Sequence, residues 1–117
     1  MDTLTSWTRE RSVVVHPNLL VAEDLRQLLL SEGAASVVTA VDLDQIAAGS
    51  DAIAFIEGNV ARLIELEAVQ NWLQFGTPIV VLTDGSPQID LPPGIYSLEQ
   101  PFRSEQVQAL LQQKVVF

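Results

Sequence analysis

Five short apolar runs recur along the chain, and amphipathic or polar stretches separate them. Residues 12–16 are β-branched and apolar as far as His16, which is the make-up of a strand buried on both faces. Asn18 is a good helix N-cap. After it Val21, Ala22, Leu25, Leu28 and Leu29 recur at helical spacing, with Glu23, Asp24, Arg26 and Gln27 between them, and Gly33 closes the helix. Residues 35–41 predict a second strand, and Asp42 caps a short helix over 43–48 that stops at Gly49. Residues 51–56 predict a third strand, followed by Glu57-Gly58-Asn59. Asn59 caps a helix reaching about Phe75, with Ala61, Ile64, Ala68 and Trp72 on one stripe and Val69 and Leu73 beside it.

Pro78 opens a fourth strand over 79–83. Residues 84–94 contain three prolines and two glycines without a helical period, and predict a loop. Residues 95–98 predict a fifth strand. Pro101 breaks the chain, and Ser104 caps a last helix whose apolar face is Val107, Leu110 and Leu111. Strands alternating with helices imply βαβ units and a parallel sheet covered on both sides. Right-handed crossovers then give an α/β, flavodoxin-like, doubly wound five-stranded sheet of order 2-1-3-4-5, its helix between strands 4 and 5 short or absent. Residues 1–11 read as an N-terminal arm carrying Trp7, and 12–117 as one domain ending in the apolar Val115-Val116-Phe117.

Composition narrows the function classes. With 48% apolar residues, the chain has enough for a core. It has no apolar run long enough to span a membrane, and its polar first residues lack the apolar segment of a signal peptide, so the cytoplasm is the expected location. The absence of cysteine excludes disulfides, thiol catalysis and cysteine metal sites. Fifteen acidic residues against six basic ones give a net charge of −9. Such a surface repels nucleic-acid phosphates and anionic lipid, and favours a basic protein patch. Plain solubility explains the charge equally well.

The order and spacing of the landmarks resemble the response-regulator receiver family of two-component signalling. The likeness runs over residues 12–113. It rests on the first strand and helix, on Asp51 to Phe55 leading strand 3, on Thr83 ending Pro78-Ile79-Val80-Val81-Leu82-Thr83, and on Gln100-Pro101-Phe102 before the last helix. In that family two acidic residues after strand 1 bind a divalent cation, and an aspartate ending strand 3 accepts a phosphoryl group. A threonine or serine ending strand 4 and a lysine ending strand 5 respond to it. The set makes chemical sense, because a carboxylate attacks a phosphoryl donor poorly unless cation and ammonium neutralise the developing charge.

Carried over residue by residue, the acidic pair falls on His16 and Pro17, neither a hard oxygen ligand for Mg²⁺. Asn18 beside them offers only a neutral amide oxygen. The phosphoacceptor position falls on Ile56 without a gap, and on Glu57 after a shift of one residue. Thr83 keeps the hydroxyl, and Gln100 stands in the lysine position. The resemblance therefore implies a pseudo-receiver that is not an enzyme, has lost its Mg²⁺ site and needs no cofactor. It would bind a protein partner, a histidine kinase or another regulator, or pair as a homodimer. Gln100 follows Thr83 by only 17 positions, so the usual output face is also expected to be altered. A cis peptide is expected at Gln100-Pro101, because the family often has one there.

Other roles for these residues stay open at this point. Glu57 is either a fixed mimic of the phosphorylated state, an unconventional acceptor, or a solvated carboxylate in a turn. With Asp84 it can also face a cation. His16 is a phosphocarrier imidazole, a pH sensor or a hydrogen-bonded loop residue, and no phosphate-cradling glycine loop follows it. Asp24, Asp42 and Asp44 read as solvated face and caps, and Trp72 and Phe102 as packing residues.

Overall fold

Each strand is five residues of mostly β-branched or aliphatic side chains, and each is followed by a polar capping residue or a turn. The computed structural model describes residues 11–49, 51–84 and 91–112. Strands β1 (Arg11–Val15), β2 (Ser36–Ala40), β3 (Ile53–Glu57), β4 (Ile79–Thr83) and β5 (Ile95–Glu99) form one five-stranded sheet of order β2-β1-β3-β4-β5. Every pairing is parallel, so the arrangement is the flavodoxin-like one that the alternation predicts. Helices α1 (Leu19–Ser31), α2 (Val60–Leu63), α3 (Glu67–Phe75) and α4 (Ser104–Leu110) cover it.

The pleat sends alternate side chains to opposite layers. Val14, Phe55, Val80, Leu82 and Leu98 pack with Ala22, Leu25 and Leu29 of α1 and Val107 of α4. Val13, Val15, Ile56 and Val81 pack with Val60, Leu63, Val69 and Trp72 of α2 and α3. Phe102 is half-buried against the first layer.

Several expected boundaries move, each for a local reason. Arg11 begins β1 rather than ending an arm. The helix expected to run unbroken to Phe75 is split at Ile64–Leu66. On one continuous helix Leu63 and Val69 would lie about 120° apart at ~100° per residue. The break lets both reach the sheet, and the Gln70 side chain donates to the freed Ile64 carbonyl. The buried set is accordingly Val60, Leu63, Val69 and Trp72, while Ala61 is exposed and Ile64 and Ala68 are half-buried.

The helix expected over 43–48 shrinks to a single 3-10 turn, Leu43–Gln45. Asp42 does cap it, accepting from Asp44 N–H at 3.1 Å, but Ile46 is extended and the Ala47 carbonyl is taken by Arg11 Nη2 at 2.7 Å. In α4 the flanking cap is Arg103, not Ser104, because Gln106 Oε1 accepts from the Arg103 N–H at 2.7 Å. Gly33 follows α1 at φ 110°, where only glycine is unstrained. Gln100-Pro101 is cis. The expected absence of a helix between β4 and β5 falls largely on residues 85–90, outside the described residues, as do Trp7 and Val115-Val116-Phe117.

Candidate functional site

In an all-parallel sheet the strands deliver their last residues to one rim. Here that rim collects His16 after β1, Glu57 ending β3, Thr83 ending β4 and Gln100 after β5. His16 is buried, and its N–H continues the pairing to Ala40 O at 3.0 Å. The Asn18 backbone N–H donates to His16 Nδ1 at 2.9 Å. A ring nitrogen that accepts an N–H carries no proton of its own, so the imidazole proton sits on Nε2. Nε2–H then donates to Gln100 Oε1 at 2.9 Å.

Asn18 spends its amide oxygen on the start of α1. Its Oδ1 accepts from Leu20 N–H at 2.9 Å and caps α1. Gln100 N–H donates to Thr83 O at 2.8 Å, which anchors Gln100 at the end of the β4–β5 pair. Both residues next to the imidazole are thus fixed by backbone hydrogen bonds that their strands and helix require anyway.

Ile56 is buried in the α2/α3 layer and presents nothing at the rim. Glu57 is exposed, pairs in register with Leu82 and holds the last place of β3. Gly58 follows at φ 148°, where a Cβ would press on Leu63 Cδ1 at 3.2 Å. Glu57, Asn59, Asp84 and Gln100 line a cavity of about 210 Å³. A longer groove of about 930 Å³ starts at His16, Asp84 and Gln100 and runs between α1 and the 101–104 segment. Gln100 and Asp84 belong to both spaces. Thr83 is buried and lines neither of the two, and exposed Pro17 lines neither.

The structure therefore brings His16, Asp84, Gln100 and Glu57 together, and leaves Ile56, Pro17 and the Thr83 side chain outside the cavities. Asn18 lines the groove but spends its oxygen on the cap. Among the described residues, no group of three or more His, Asp or Glu side chains is placed to hold a metal ion. On the outer side of α1, Arg26 grips Glu23 with Nε at 2.9 Å and Nη2 at 2.6 Å. Those hydrogen bonds, with a further one from Gln27, hold the Glu23 carboxyl down at about 2.

A second polar cluster sits at the opposite end of the sheet. Asp51 is buried just before β3 and accepts from Arg11 Nε at 2.6 Å and from Trp72 Nε1 at 2.7 Å. Thr77 Oγ1 donates to Asp51 O at 2.8 Å. The sequence carried a signal for it: a tryptophan buried in an apolar stripe needs an acceptor for its N–H. Lying away from the rim, the cluster holds β1, β3 and α3 in place. No protein-family model matches the chain, and no curated protein matches it.

Proposed function

We propose that this protein is a receiver-like signalling module of the two-component type that takes no phosphoryl group and acts in the cytoplasm by binding a protein partner, a histidine kinase or another regulator. One observation supports it most: the hydrogen bond from His16 Nε2 to Gln100 Oε1. By the resemblance, these positions belong to a metal-binding acid and to the lysine. Here an uncharged amide meets an imidazole whose second nitrogen is already occupied by Asn18 N–H. A hard divalent cation wants carboxylate and carbonyl oxygens, and charge developing on a phosphoryl group wants a cation beside it. The His16–Gln100 pair supplies neither.

A second function rests on Glu57 and Asp84 lining one cavity. Two carboxylates there would make a reduced cation site, with Glu57 as an unconventional acceptor. The experiment that separates the two is incubation of the full chain with acetyl phosphate and Mg²⁺, followed by peptide mapping. Absence of label supports the phosphoryl-independent module. Label on Glu57 supports the second function. Label lost in His16→Ala would point instead to a phosphocarrier.

A further inference from the structure

We infer that the groove between α1 and the 101–104 segment binds a small organic cation, a protonated amine that carries an acceptor oxygen on an aromatic body. This adds a small-molecule input to the proposed function and does not depend on it. At about 930 Å³ the groove lies towards the upper end of the range that small ligands occupy. Its walls are largely apolar: Leu25 is buried, and Val21, Leu28 and Phe102 are half-buried along it. A bare metal ion would leave those walls unused.

Two kinds of polar group select the ligand. Asp24 of α1 and Asp84 after β4 both line the groove, and no lysine or arginine among the described residues does. An anion would meet two carboxylates without a counter-charge. An ammonium is drawn to them, and Phe102 adds an aromatic surface that also attracts cations. Gln100 supplies the second handle. Its Oε1 accepts from His16 Nε2, so its amide nitrogen has two N–H donors left. That nitrogen donates to no described residue. A ligand carbonyl oxygen would satisfy it. His16 has both ring nitrogens engaged within the protein and competes for neither ligand group. Apolar walls around a few convergent polar groups are the make-up of a ligand site. These particular groups ask for an amine and an acceptor in one molecule.

The test uses ¹⁵N-labelled full-length protein and phenylalanine 2-naphthylamide, which carries an ammonium, an amide carbonyl and two aromatic groups. Its N-acetyl and N-succinyl derivatives keep the body and make it neutral or anionic. The cationic probe is expected to shift amide resonances of residues 21–28 and 100–104, with affinity falling as salt rises. The neutral probe should bind about fivefold more weakly, and the anionic one more weakly still. Asp24 is exposed, so its replacement should leave the resonances of β3 and β4 in place. Asp24→Asn should weaken the cationic probe about threefold and Asp24→Lys about tenfold. Equal affinity of the three probes would reduce the binding to adventitious apolar contact and overturn the inference. Shifts confined to α3 and residues 43–48, or no shift at all, would also overturn it. So would shifts on the α1 face that grow with protein concentration without any probe, which would make a second copy of the chain the occupant. Phosphoryl uptake, measured separately, would sink the proposed function without touching the groove.

Discussion

His16 Nε2 and Gln100 Oε1 stand 2.9 Å apart at the sheet rim, although 84 residues separate them in the chain. The contact joins the ends of β1 and β5, strands that are not neighbours in the sheet. It has a direction, because Asn18 N–H occupies Nδ1 and leaves Nε2 as the donor.

Imidazole ¹⁵N shifts should therefore report the tautomer protonated on Nε2. Gln100→Lys should remove the acceptor, put a cation against a buried N–H and cost about 1–3 kcal/mol in urea unfolding. Gln100→Glu keeps an acceptor oxygen and should cost less. Equal losses for the two variants would mean that the bond does not matter.

Ile56 and Glu57 occupy opposite environments one residue apart. Ile56→Asp would bury a carboxylate in the α2/α3 layer and should destabilise by more than about 3 kcal/mol. Glu57→Asp alters an exposed strand end and should stay within about 0.5 kcal/mol. Chemical denaturation of both variants checks which residue stands at the rim.

Asp51 ties Arg11 to Trp72. Asp51→Ala leaves the buried Trp72 N–H without its acceptor and should cost about 2–4 kcal/mol, since Arg11 itself remains partly solvated. Asp51→Asn retains one oxygen acceptor and should cost less. Thermal melts followed by near-ultraviolet dichroism, which senses the Trp72 environment, would resolve the difference.

Glu23 gives the clearest pH dependence. Hydrogen bonds from Arg26 and Gln27 hold its folded-state value at about 2, below the 4.5 of a free glutamate carboxyl. The ion pair's contribution is therefore present above the unfolded value and lost as pH falls towards the folded one. Both side chains are solvated, so the effect on stability is small. Carboxyl NMR titration should show Glu23 returning towards 4.5 in Arg26→Gln.

The sheet was legible because its evidence is local. Runs such as Ile79 to Thr83 admit one period, and Asn18 and Asn59 announce the helices they cap. The split of the 60–75 helix was not, because it depends on where Leu63 and Val69 meet a sheet that no local window contains. The 43–48 stretch failed likewise: its Ala47 carbonyl is claimed by Arg11, 36 residues away. At the rim, residue types showed what each position lacked. Pairing between them, His16 with Gln100 and Glu57 beside Asp84, appears only once the strands are assembled.

Intact-mass measurement after incubation with acetyl phosphate and Mg²⁺ tests the central claim most directly. The account predicts an unchanged mass for the wild type, and also for Gln100→Lys, since one ammonium does not restore the missing oxygen ligands. A stable phosphoryl adduct on the wild-type chain, lost in Glu57→Gln or His16→Ala, would contradict it.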